Sequence, residues 1–278
     1  MKRDFKQMDV FGREPFLGNP LAVVLDGTGL SDQEMQHFAR WTNLSETTFL
    51  LPTSSPDADY ALRIFTPARE LPFAGHPTLG SAHAWLEAGG VPRADGTVVQ
   101  ECAVGLVRVR RGTHLAFAAP PLKRSGALEP ELVARIARGL HLEPTQIKQH
   151  QHADNGPGWV AVLLEDAKTV LDLEPDYTAL DGLELGVIGA YPPGSETQFE
   201  VRAFITRDTA PYEDPVTGSL NAALAQWLIV AGFAPQRYTA SQGTRLGRAG
   251  RVNLERDASG QVWAGGATVT LVDGFVQL

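Results

Sequence analysis

The chain carries a stretch of itself twice. His76-Pro77-Thr78-Leu79-Gly80-Ser81-Ala82 aligns without a gap against Asp214-Pro215-Val216-Thr217-Gly218-Ser219-Leu220, and the copies begin 138 positions apart in a chain of 278. A strand-like run precedes each copy, Leu62-Arg63-Ile64-Phe65 and Val201-Arg202-Ala203-Phe204. An apolar, helix-like run follows each and stops at Gly89 and Gly232. Strand, loop and helix recurring in this order, half a chain apart, predict two similar halves. We divide them at 1–119 and 120–278, with the proline-bearing stretch 119–126 as the linker.

The two helix-like runs, residues 78–88 and 217–231, lack a wide polar face. A helix that is apolar nearly all round is buried on most sides in a water-soluble chain. Around them lie short runs rich in β-branched and aromatic residues: 22–25, 47–51, 60–65, 105–110, 159–164, 199–205, 252–254, 262–264 and 267–272. Turn signals separate them, and this meander-like succession predicts antiparallel pairing. The expected class is α+β, each half a curled, mostly antiparallel sheet around a central helix. Two further helices read as peripheral. One opens on the capping box Ser31-Asp32-Gln33-Glu34, and the other, 130–138, is amphipathic and stops at Gly139.

Charge and composition narrow the partners. A net charge of -8 argues against a protein that wraps a phosphate backbone. The single Cys102 excludes an intrachain disulfide and a two-thiol mechanism, and it reads as a small buried residue. Met1-Lys2-Arg3-Asp4-Phe5 lacks the apolar run of a signal peptide, and the most apolar stretch, 220–234, is too short to cross a bilayer. A soluble, cytoplasmic protein is the expectation, with no membrane and no nucleic-acid partner.

Proline at the second position of each copy suits a helix start. His76 and Asp214 then fall near N-caps, with Gly80, Ser81, Gly218 and Ser219 in or beside the first turns. Exposed N–H groups there would hold a carboxylate without a metal. Glu46, in Asn43-Leu44-Ser45-Glu46-Thr47, stands where a loop enters a strand; part-buried, such a carboxyl group gains proton affinity and can trade protons near neutral pH. Other groups carry plainer readings. His76 and His83 lack a third metal ligand, and His150 and His152 read as a polar loop. Arg245, Arg248 and Arg251 either attract an acid or form a solvated basic loop. Trp85 and Trp227 read as core.

Several motifs in order resemble the PhzF-like family of phenazine biosynthesis. They are Gly18-Asn19-Pro20-Leu21-Ala22-Val23-Val24, Asn43-Leu44-Ser45-Glu46-Thr47, Phe65-Thr66-Pro67, Pro72-Phe73-Ala74-Gly75-His76-Pro77-Thr78 and Glu213-Asp214-Pro215-Val216-Thr217-Gly218-Ser219. The resemblance runs from near Asp9 to the C-terminal segment with Gln242-Gly243 and Leu246-Gly247-Arg248. It implies a diaminopimelate-epimerase-like fold, with the active site between the halves, and a cofactor-independent isomerase acting on a small carboxylate substrate. Glu46 is then the proton shuttle. His76, Asp214 and Ser219 line the pocket, Gly75 and Gly218 supply backbone contacts, and a homodimer is the implied assembly. A non-catalytic binding protein and an α-carbon epimerase or racemase are the alternatives on the same fold.

Overall fold

The first strand is one that the sequence hides. β1 (Lys2–Val10) has no clean alternation, because Arg3 and Lys6 take core-facing places at 7% and 6% exposure. Each is buried with partners. The Arg3 guanidinium donates to the carbonyls of Asp26 and Thr28, and the Lys6 ammonium meets Asp273 at 2.7 Å and Glu87 at 3.2 Å. Buried charges are tolerated when paired in this way.

In the computed structural model, which describes residues 1–207 and 210–278, contacts divide the chain into two units. The first holds residues 1–118 and 264–278, and the second holds 119–263. The C-terminal strand β17 (Thr268–Gln277) pairs antiparallel with β1, which joins 264–278 to the first unit rather than the second. The intervening β16 (Val262–Gly266) leads into it.

In the first unit, β1 pairs antiparallel with β2 (Asn19–Val24), and β2 pairs parallel with β3 (Glu46–Leu51). β3 is antiparallel to β4 (Tyr60–Phe65). β4 carries the short antiparallel β5 (Glu70–Leu71) and pairs parallel with β6 (Thr97–Cys102). β7 (Gly105–Arg110) and β8 (Leu115–Ala118) follow antiparallel. α1 (Asp32–Thr42) crosses from β2 to β3, and α2 (Gly75–Glu87) from β5 to β6.

The second unit opens with α3 (Pro130–Gly139) and then repeats this order. β9 (Gln149–His152) is antiparallel to β10 (Trp159–Leu163), and β10 is parallel to β11 (Glu184–Ala190) across α4 (Ala167–Asp172). β11 is antiparallel to β12 (Phe199–Ile205), which carries the short β13 (Tyr212–Asp214) and pairs parallel with β14 (Arg237–Gln242) across α5 (Gly218–Val230). β15 (Gly250–Arg256) closes the series antiparallel. The sheets are thus α+β as expected but mixed. Each parallel pair is bridged by a helix, the usual way to supply the long crossover that returns a strand to the same direction.

α5 is buried along nearly its whole length, with Leu220, Leu224 and Leu228 at 0% exposure. Burying each such side chain contributes about 1.5–3 kcal/mol. α2 is buried from Gly75 to Ala82, and its C-terminal turns open to solvent. Trp85 is accordingly half-buried against Tyr60 rather than core, whereas Trp227 is core. Both helices sit close to their sheets. A Cβ on Gly80 would meet Leu21 at 2.5 Å, and one on Gly186 would meet Leu220 of α5 at 2.4 Å. Cys102 is half-buried at the β6–β7 turn, not fully buried as expected.

Candidate active site

The loop from α1 to β3 sets Glu46. Ser31 caps α1 in a reciprocal box with Glu34, and Asn43 ends it at φ 55°, a left-handed conformation that asparagine adopts more readily than most residues. The chain then enters β3 at Glu46, in parallel register with Leu21 of β2. Two residues before Leu21, Asn19 starts β2. The carboxylate of Asp9 takes the N–H of Gly18 at 2.9 Å and holds the entry to that strand.

His76 lies in the first turn of α2, at 3% exposure, with Nε2 3.3 Å from Oε2 of Glu46. Both atoms are buried, and the approach lacks hydrogen-bond alignment. Catalytic contacts are commonly this loose before substrate arrives. Asn19 Nδ2 lies 3.3 Å from His76 Nδ1, and the ring also hydrogen-bonds the backbone of Pro20. Burial pushes the imidazole pKa down to about 3, against that backbone bond, so His76 is neutral at ordinary pH. Ser81, one turn further on, is not in this group; it hydrogen-bonds Thr48 at 2.9 Å and ties α2 to β3.

In the second unit, Asp214 ends β13 and is 5% exposed. Its Oδ2 accepts from Thr217 Oγ1 at 2.5 Å. Gln242, fully buried at the end of β14, donates to Thr217 Oγ1 at 2.9 Å and to the Asp214 carbonyl at 3.1 Å. Its Oε1 accepts from the Thr217 N–H at 2.9 Å and from Asn221 Nδ2 at 2.8 Å. Ser219, in the first turn of α5, has its Oγ 3.1 Å from Trp159 Nε1 and its carbonyl 2.8 Å from Asn155 Nδ2. Asn155 did not stand out in the sequence, and Gln242 stood there only as part of the family resemblance, with no site role; their buried partners mark both.

The two loops correspond, but not in the register of the sequence echo. Three residues separate β5 from α2 and three separate β13 from α5. Gly75 therefore matches Gly218, and His76 matches Ser219, five places from the alignment of His76 with Asp214. Asp214 is a strand end, not an N-cap, and His76 is inside its helix; the N-caps are Ala74 and Thr217. Neither N-cap residue makes a side-chain cap bond. The N–H groups of Gly75, His76, Gly218 and Ser219 have no acceptor within their helices.

The remaining candidates lie elsewhere. His83 pairs with Glu87 at 3.0 Å, His150 accepts the Leu128 N–H at 3.0 Å, and His152 meets Glu129 at 3.2 Å. Arg245 pairs with Glu174, and Arg251 donates to Ser241 at 3.1 Å. Among the described residues no helix is long and apolar enough to cross a membrane.

Comparison with known proteins identifies the family and the fold. The family described as phenazine biosynthesis-like protein, PhzC-PhzF, matches residues 8–274. Antisense-enhancing sequence 1 of Schizosaccharomyces pombe is 36% identical, over 98% of both chains. Trans-2,3-dihydro-3-hydroxyanthranilate isomerase of Pseudomonas aeruginosa is 35% identical, over 91% of this chain and 90% of that one. A crystal structure of an Enterococcus faecalis phenazine biosynthesis protein of the PhzF family superposes with TM-score 0.81 at 27% identity, over all of both chains. With the match spanning nearly its whole length, this chain belongs to the PhzF-like family of isomerases.

Proposed function

We propose that the protein moves a proton between carbons of a small carboxylate substrate, by acid/base catalysis and without a cofactor. The observation that carries this reading is the Glu46–His76 pair, a carboxyl group 13% exposed at the side chain beside a neutral, buried imidazole. Glu46 takes a proton from an activated carbon and returns it to another, so the substrate is isomerised and Glu46 ends as it began. A positioned carboxyl acting this way contributes about 10²–10⁴-fold.

A neutral His76 suits both states of the shuttle. Proline has no N–H, so the ring donates to the Pro20 carbonyl, while Asn19 can donate to the ring. With both a donor and an acceptor around it, the ring can turn an N–H toward the Glu46 carboxylate or a lone pair toward the Glu46 carboxylic acid. A charged imidazolium would instead favour the carboxylate alone.

The helix-start N–H groups, Gly75 in the first unit and Gly218 and Ser219 in the second, are proposed to serve a substrate carboxylate, and Asp214 a substrate amine or hydroxyl. The deciding experiment incubates the protein in D2O with a panel of hydroxy-, amino- and cyclohexadiene carboxylates and follows deuterium at carbon. Exchange that Glu46→Gln abolishes is expected. Exchange that survives the substitution sinks the assignment, and ligand binding with no exchange makes this a binding protein.

A further inference from the structure

Residues 153–158, joining β9 to β10, form a loop held from within. Asp154 Oδ1 accepts the N–H of Gly156 at 2.7 Å and of Gly158 at 2.8 Å. The two glycines have φ of 147° and 98°, which side-chain-bearing residues seldom adopt. The Asp154 carbonyl takes the N–H of Lys123 at 2.6 Å. The loop so fixed presents Asn155, 1% exposed, to the start of α5.

The Ser219 carbonyl can only accept, so the amide of Asn155 is oriented by chemistry: Nδ2 faces Ser219 and Oδ1 faces away. Oδ1 is buried, and among the described residues it meets no donor. An idle buried acceptor is uncommon in a folded protein and asks for a role. Trp159, at the other end of the loop, donates its indole N–H to Ser219 Oγ at 3.1 Å. That bond leaves the Ser219 hydroxyl its own proton to give. The start of α5 thus offers donors from the Ser219 hydroxyl and the first-turn N–H groups, and the far side of the amide that holds Ser219 offers one uncommitted acceptor.

We infer that Asn155 is a specificity-determining residue, whose Oδ1 accepts a hydrogen bond from an O–H or N–H group that the substrate carries besides its carboxylate. The inference rests on the reading of Ser219 as a substrate contact. An acid lacking that donor leaves Oδ1 buried and unsatisfied in the complex, and sites built to bond a donor discriminate strongly against analogues without one.

The test uses matched acids, a hydroxy acid that undergoes exchange and its O-methyl ether, with wild type and Asn155→Ala. Wild type should favour the hydroxy acid in kcat/KM by about tenfold or more, in line with one hydrogen bond to a buried group. In Asn155→Ala the preference should collapse to within about twofold. Equal slowing of both acids would show Asn155 to be only a support for Ser219 and would overturn the inference. Ligand-induced shifts in the melting temperature of wild type and Asn155→Ala separate the two readings. If no acid of the panel exchanges, the isomerase reading fails, and a larger shift with a hydroxy acid than with its ether that Asn155→Ala abolishes still upholds Asn155, whereas equal shifts from the pair in wild type overturn Asn155 whatever the catalysis.

Discussion

His76 Nε2 lies 3.3 Å from Glu46 Oε2, yet 30 residues of sequence and two different kinds of element separate the two side chains. Glu46 opens a strand and His76 sits in the first turn of a helix, each held by the same strand entry at Asn19 and Leu21. The pair is therefore a product of the parallel β2–β3 register.

Glu46→Gln keeps the shape and the part-burial of the side chain but removes the transferable proton. Exchange of the substrate C–H with solvent, read by NMR in D2O, should fall by about 10²–10⁴-fold. The melting temperature should stay close to wild type.

His76 links stability to acid. Its folded-state pKa is lowered from 6.5 to about 3, so between these values the unfolded chain binds the extra proton. The contribution is fully present above about pH 6.5 and is lost as pH falls toward 3, amounting to a few kcal/mol. Urea unfolding of wild type and His76→Gln at pH 7, 6, 5 and 4 (roughly the titration window) should show a shallower pH dependence in the variant. The same burial predicts no limb near the ordinary imidazole pKa from His76 in the pH–rate profile.

Arg202 and Glu213 form a bidentate pair at 2.8 and 3.0 Å, with side chains 4% and 6% exposed. Arg202 also donates to the carbonyls of Val170 and Leu173. Arg202→Met strands a buried carboxylate and should cost about 3–5 kcal/mol in chemical denaturation. The double variant Arg202→Met, Glu213→Leu should recover most of that loss, since removing both charges removes the unpaired one.

Gln242→Leu deletes both donors and the acceptor that tie Asp214, Thr217 and Asn221 together. Denaturation should register about 2–4 kcal/mol, as expected for several buried polar groups left unmatched. Thr217 would lose the donor that fixes its hydroxyl against Asp214, so the exchange rate should fall as well. A normal rate in the destabilised variant would detach this network from the chemistry.

Local signals reached as far as local physics does. The capping box at Ser31, the end of α3 to within one residue of the expected stop, and the buried character of α5 were legible because propensity and apolar pattern act within a few residues. β1 was not legible, since Arg3 and Lys6 break its alternation and find their partners at Asp26, Thr28, Glu87 and Asp273. The parallel pairs were missed for a related reason: a strand's sequence does not state the direction of its neighbour.

The motif residues of the site were likewise readable, as a match between short segments and a family. The sequence by itself determined the family motifs and which residues to propose for the chemistry, the recurrence of strand, loop and helix, and the burial of the two central helices. Only the tertiary structure decided the register between the halves, moving Asp214 from a helix cap to a strand end and matching His76 with Ser219. It alone brought Gln242 and Asn155 to their partners. The physical reason is that hydrogen bonds between distant segments depend on where the sheet places them, and short-range preference carries no information about that placement.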